Sequence, residues 1–126
     1  MDPDLRRFAA RGGKIISFVG FEDQTVPFPA PLQHWEDTAK LFGSVAKVRD
    51  FYRMYLLPGA AHGGIGRAMK ALPGYGGDYN KALIDWVENG KPPEDVTIKT
   101  NDGDTIKVAP YPDKAYRGAD GVWRRK

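Results

Sequence analysis

Apolar residues recur along this chain in two periods, and the change from one to the other divides it. Lys14-Ile15-Ile16-Ser17-Phe18-Val19 and Tyr52-Arg53-Met54-Tyr55-Leu56-Leu57 are nearly continuous apolar runs of strand length. Runs of that kind suit strands covered on both faces, as in a parallel sheet. Between them, Leu32, Trp35, Ala39 and Phe42 fall at helical spacing and predict an amphipathic helix over residues 32–42. A second helix follows Asp78, which is read as its N-cap; Tyr79, Ala82, Leu83, Trp86 and Val87 form its apolar stripe, and Gly90 with Pro92-Pro93 ends it. A short helix over residues 4–11 precedes the first strand, with Leu5, Phe8 and Ala9 on one face and Gly12-Gly13 as its stop. Strand, helix, strand, helix in that order implies parallel pairing of the two strands.

From residue 95 the period falls to two. Val96, Ile98 and Thr100, then Ile106 and Val108, alternate around Asn101-Asp102-Gly103 and predict a β-hairpin. A two-residue Asp-Gly loop sets Ile98 opposite Lys107 and puts the apolar residues of the two strands on opposite faces. A three-residue loop with Gly103 in the left-handed conformation pairs Ile98 with Ile106 and Val96 with Val108, so it is preferred. The end, residues 110–126, reads as extended or partly ordered. The chain therefore divides into residues 1–94, a strand-helix-strand-helix portion, and residues 95–126, a hairpin with a tail. The expected class is α/β: two parallel strands with helices, then a C-terminal hairpin.

Composition narrows the function classes. The length of 126 residues and 41% hydrophobic content suit one small domain with a core. The net charge of +3 gathers at Arg117, Arg124, Arg125 and Lys126, which read as a solvated tail rather than a nucleic-acid surface. No cysteine is present, so disulfides, thiol catalysis and Cys-ligated zinc are excluded. No apolar run approaches the roughly 18 residues of a membrane span, and Met1-Asp2-Pro3-Asp4 does not read as a signal peptide. The Asn101-Asp102-Gly103-Asp104 cluster lacks the spaced carboxylates and terminal glutamate of a calcium loop and is read as turn chemistry.

Candidate chemistry lies where the two apolar runs end. The first stops at Gly20-Phe21-Glu22-Asp23, leaving an acid just past a strand, and the second stops at Pro58-Gly59 before Ala60-Ala61-His62-Gly63-Gly64, a histidine in a glycine-flanked loop. Acid then base, each after a strand of a parallel sheet, is the order of the α/β-hydrolase triad. Asp23 is the candidate acid, Glu22 its rival, and His62 the candidate base. Three prolines in Gln24-Thr25-Val26-Pro27-Phe28-Pro29-Ala30-Pro31 are expected to suppress helix and stiffen the segment that holds Asp23. His34 is expected on the solvent face of its helix, and a metal site built from His62, His34 and Asp23 lacks ligand spacing. Tyr75, Tyr79 and Trp86 are read as core residues, with the lining of an acyl pocket as the alternative.

The runs Arg11-Gly12-Gly13-Lys14-Ile15-Ile16, Gly20-Phe21-Glu22-Asp23 with Val26-Pro27, Lys47-Val48-Arg49-Asp50-Phe51-Tyr52-Arg53, Leu57-Pro58-Gly59-Ala60-Ala61-His62-Gly63-Gly64 and Ala82-Leu83-Ile84-Asp85-Trp86-Val87-Glu88-Asn89-Gly90-Lys91-Pro92-Pro93 share an order with one family. Together with Pro110-Tyr111-Pro112, the chain resembles the C-terminal part of tannases and feruloyl esterases. The resemblance implies an α/β-hydrolase carboxylesterase with Asp23 as triad acid and His62 as base, acting without a cofactor on small aromatic esters such as gallates or ferulates. It also suggests a secreted or periplasmic setting. Many members carry a cysteine directly after the histidine, bonded to one beside the nucleophile, and another before Pro-Tyr-Pro; here Gly63 and Ala109 stand at those places. The two serines, Ser17 and Ser44, lie in no Gly-x-Ser-x-Gly elbow. The expectation is therefore a C-terminal fragment, inactive alone, that carries two thirds of a triad. The competing expectation is a non-catalytic α/β module that self-associates or binds a protein partner through an exposed edge of the strand at 14–19. Neither expectation includes a nucleic-acid or membrane partner.

Overall fold

The two apolar runs pair side by side. In the computed structural model, which describes residues 1–62, 68–71, 79–100 and 103–126, β1 (Ile15–Gly20) and β2 (Tyr52–Leu57) run parallel, with Ile15 opposite Tyr52 and Gly20 opposite Leu57. Side chains alternate between the faces of this ribbon, as the pleat requires. Ile15, Val19, Tyr52 and Met54 enter one apolar cluster, while Ile16, Phe18, Tyr55 and Leu57 enter another. Both faces are thus covered, as the unbroken apolar runs imply. Coverage is less complete than expected for β1, where only Val19 is buried; the first strand pairs with β2 alone in the described sheet.

The first face is covered by α1 (Arg6–Ala10), α2 (Pro29–Phe42) and α3 (Val45–Arg49). α2 centres on Trp35, which is 1% exposed and donates its indole N–H to the Tyr52 carbonyl at 3.3 Å. The proline segment does not suppress helix as expected. α2 begins at Pro29 and takes in Pro31, because N–H groups of a helix's first turn have no intrahelical acceptor and a missing donor costs nothing there. His34 is half-buried rather than solvent-facing, with Nε2 at 3.0 Å from the Asp2 carbonyl oxygen. α3 has no counterpart in the sequence reading. Five residues are too few to show a period, and its signal is the N-cap alone: Ser44 Oγ accepts from the Lys47 N–H at 3.2 Å.

The second face is covered by α4 (Tyr79–Asn89) and by β4 (Val96–Thr100) with β5 (Thr105–Val108). In α4 the inner line is Ala82 and Trp86, both buried, whereas Val87 is exposed: one residue beyond Trp86 turns it about 100° off that line. Asp78, Tyr75 and the Leu72 to Gly77 stretch lie outside the described residues. The hairpin has the expected register, Val96 opposite Val108 and Ile98 opposite Ile106, and Gly103 has a φ of +87°. Asn101 and Asp102 of the loop lie outside the described residues. Three strands were not foreseen. β3 (Ala68–Ala71) adds to β4 antiparallel, and the tail forms its own antiparallel pair, β6 (Ala115–Arg117) with β7 (Trp123–Arg125).

The 110–113 segment ties the hairpin side to the helical side. Tyr111 donates its N–H to the Met54 carbonyl at 2.7 Å and its hydroxyl to Glu36 at 2.6 Å, with its ring edge-on to Trp35 at 5.0 Å. Asp113 accepts from Arg49 at 3.0 Å and lies 3.7 Å from Arg125, which also reaches Glu94 at 3.1 Å and Asp95 at 2.5 Å.

Candidate active site

The carboxyl ends of β1 and β2 carry the two candidate side chains to the same place. β1 ends at Gly20, and its chain turns through Phe21 and Glu22 to Asp23; β2 ends at Leu57, and its chain turns through Pro58 and Gly59 to Ala60 and His62. The turns are laced together at their roots. The Phe21 N–H donates to the Leu57 carbonyl at 3.1 Å, and the Glu22 N–H donates to the Ala60 carbonyl at 3.2 Å.

Beyond those links, His62 Nδ1 lies 3.0 Å from Asp23 Oδ2. The other carboxylate oxygen, Oδ1, accepts from the Thr25 N–H at 2.8 Å and the Val26 N–H at 2.9 Å. Asp23 therefore divides its lone pairs: one oxygen is fixed by its own turn, the other is held toward the ring. These donors hold its carboxyl below the ordinary carboxylate range. The Val26 N–H contributes most, partial burial opposes it, and the His62 ring and Thr25 N–H add to it. Near neutral pH an ionised Asp23 can only accept, so a neutral His62 must place its proton on Nδ1. That leaves Nε2 with a free lone pair. The Asp23 side chain is 13% exposed and that of His62 58%, so the acid is sheltered and the base open. An imidazole in this setting takes a proton at Nε2 while the carboxylate stabilises the resulting imidazolium.

Glu22, next in line to Asp23, has an exposed side chain and is not the residue bonded to the ring. A cavity of about 310 Å³ opens beside the pair, lined by Val19, Gly20, Asp23, Leu57, Ala60 and His62 among others. His34 is elsewhere, against the N-terminal segment, and no group of three metal-ligating side chains occurs among the described residues. Ser17 is in β1 with its hydroxyl buried beside Tyr52, and Ser44 caps α3, so each has a structural place. Tyr79 packs its ring tilted against Phe18, centroids 4.6 Å apart, and Trp86 is buried with the Lys14 ammonium and Arg53 guanidinium over its ring at 5.2 and 5.7 Å. Trp86 is a core residue and Tyr79 packs, half-buried, against the core; Tyr75 is outside the described residues.

Three contributors were not singled out from the sequence: the Thr25 and Val26 amides and the Ala60 carbonyl. Backbone groups leave no trace in residue type. The one available signal was Gly20, a glycine closing an apolar strand, which marks a close backbone approach.

Known proteins share this arrangement of elements. A family model described as tannase and feruloyl esterase matches residues 1–124. A tannase of Aspergillus oryzae is 31% identical over 128 positions, covering 92% of this chain and 21% of the tannase. An uncharacterized esterase of Agrobacterium fabrum is 36% identical over 129 positions, covering 94% of this chain and 21% of the esterase. Among solved structures, a tannin acyl hydrolase from Aspergillus niger superposes with a TM-score of 0.80 at 25% identity, covering 98% of this chain and 24% of that one. Feruloyl esterase B from Aspergillus oryzae gives a TM-score of 0.84 over 99% of this chain and 29% of its own; at 21% identity this speaks for the fold alone. The chain thus spans about a fifth of the length of these curated relatives. From its first residues to Arg124 it belongs to the tannase and feruloyl esterase family.

Proposed function

We propose that these 126 residues are a C-terminal portion of an α/β-hydrolase serine carboxylesterase, in which Asp23 and His62 are the triad acid and base for hydrolysis of aromatic, galloyl or feruloyl esters. The observation that carries the reading is the 3.0 Å contact between His62 Nδ1 and Asp23 Oδ2, with Nε2 left to accept a proton. The nucleophile comes from residues outside this chain, because Ser17 is buried in a strand and Ser44 caps a helix.

In this scheme Nε2 removes the proton from a serine hydroxyl as its oxygen bonds to the ester carbonyl carbon. The bond to the alkoxy oxygen then breaks, and the same proton passes from Nε2 to the departing alcohol. Water repeats the sequence on the acyl-enzyme and releases the carboxylic acid. Asp23 keeps its negative charge throughout and fixes the ring's tautomer.

The test has two arms. The pure 126-residue chain should hydrolyse methyl gallate and methyl ferulate no faster than its His62→Ala variant; hydrolysis that disappears with His62→Ala overturns the inactivity of the chain alone. In a serine-bearing parent polypeptide, Asp23→Asn should lower kcat by about 10⁴-fold. A parent that keeps activity within tenfold after that change removes Asp23 from the mechanism.

A further inference from the structure

The geometry points to Gly20 as the positioning residue of the acid–base pair: its missing side chain lets the end of β1 lie against the Ala60 carbonyl, and that contact sets the Asp23 turn relative to the His62 loop. The inference rests on the triad reading above and deepens it.

A Cβ at position 20 would fall on the Ala60 carbonyl oxygen, well inside van der Waals contact, and 2.8 Å from the Ala60 carbonyl carbon. The obstacle is backbone, which no rotamer change can move aside. Gly20 is absent from the glycines with positive φ, so the demand is for space rather than for a left-handed conformation. The carbonyl it would strike is the acceptor of the Glu22 N–H at 3.2 Å, and the neighbouring Phe21 N–H is bonded to the Leu57 carbonyl at 3.1 Å. Any retreat of the Ala60 carbonyl therefore loosens the lacing that joins the two turns.

Gly20 and Ala60 are each a short step along the chain from one member of the pair. Gly20 is three residues before Asp23 and Ala60 two before His62. With the roots in contact, the tips meet at 3.0 Å. With the roots pried apart, Asp23 Oδ2 and His62 Nδ1 move beyond the distance at which a hydrogen bond holds. The bonds from Thr25 and Val26 lie wholly within the acid's own turn and do not depend on that contact.

That separation of local from cross-loop bonds makes the role measurable. The ring nitrogens of His62 are read by ¹⁵N NMR and the Asp23 carboxyl by ¹³C titration, in the 126-residue chain and in Gly20→Ala. The wild-type ring should be protonated on Nδ1. In Gly20→Ala the ring should revert to the tautomer mixture of a free imidazole, and the Asp23 titration should move only part of the way to the ordinary carboxylate value, because its turn amides remain. Retained Ile98–Ile106 cross-strand contacts show that the hairpin is intact. A folded Gly20→Ala chain whose His62 stays protonated on Nδ1, with Asp23 titrating as in the wild type, overturns the proposal.

A wild-type measurement covers the case in which Gly20→Ala does not fold. On warming, amide exchange at Glu22 and loss of the Nδ1–H tautomer should occur together; a ring that keeps that tautomer while the Glu22 amide exchanges freely also overturns the role. No ester is used in either measurement, so failure of the esterase reading and failure of the Gly20 role give different results.

Discussion

Two clusters of charge join distant parts of this chain, and they are finished differently. Around Asp113 acids and bases pair: Arg49 and Arg125 face Asp113, and Arg125 also faces Glu94 and Asp95, while Tyr111 beside them gives its hydroxyl to Glu36. At the ends of β1 and β2, both oxygens of Asp23 are engaged, but the ring it holds is 58% exposed and its Nε2 has no partner among the described residues. The first cluster is a latch, since a closed set of partners has nothing left to react with. The second has the form of a site because the ring Asp23 holds is open to solvent and keeps its Nε2 lone pair toward the surroundings.

The sharpest break in that comparison is chemical. In a serine-bearing parent, His62→Ala should lower kcat by about 10⁴-fold or more, a loss read from steady-state hydrolysis of methyl ferulate. No latch substitution should approach it without unfolding the chain; a folded latch variant with an equal loss erases the distinction.

Trp35→Ala removes the buried face on which Tyr111 rests and should cost about 3–5 kcal/mol in urea denaturation. In the fraction that remains folded, His62 should keep its Nδ1–H tautomer, since none of the bonds around Asp23 passes through Trp35.

Arg125→Ala should cost about 1 kcal/mol or less at low salt and still less at high salt, because its side chain is 35% exposed and water screens its three carboxylates. A larger, salt-independent loss means that the latch is drier than this geometry implies.

The pH dependence separates the two regions in sign. Asp23 titrates below its ordinary 3.8 in the folded chain, so its contribution is present above about pH 4 and is lost as pH falls through the folded value. Asp4, drawn down to about 2 chiefly by its hydrogen bond to Arg6, marks the lower end of the same acid limb. Tyr111 is pushed up to about 12 from an ordinary 10.0, first by its bond to Glu36, so its contribution is present below pH 10 and is lost as pH rises through about 12. Asp23→Asn should flatten part of the acid limb and leave the alkaline one; Tyr111→Phe should do the reverse. Thermal unfolding followed from pH 2 to pH 12 reads both, and these are the smallest of the expected effects.

Much of the arrangement is legible in residue order because its cause is local. Continuous apolar runs mark β1 and β2, the 3.6 period marks α2 and α4, and strict alternation around Asn101-Asp102-Gly103 fixes the register in which Ile98 faces Ile106. Misjudgements fall where period is absent or where position within an element matters more than residue type. α3 is too short for a period, β3 and the β6–β7 pair carry no apolar stripe, and Pro29 and Pro31 open a helix they would have broken four residues later.

By itself the sequence determined the strand pair, the hairpin register, and an acid and a base each following a strand. Tertiary structure alone decided that Asp23 rather than Glu22 meets the His62 ring, that its second oxygen is pinned by the Thr25 and Val26 amides, and that Gly20 must be bare beside the Ala60 carbonyl. The reason is one of range. Periodicity reports what a residue does to its near neighbours, whereas Asp23 and His62 are 39 residues apart and meet only because two parallel strands end side by side.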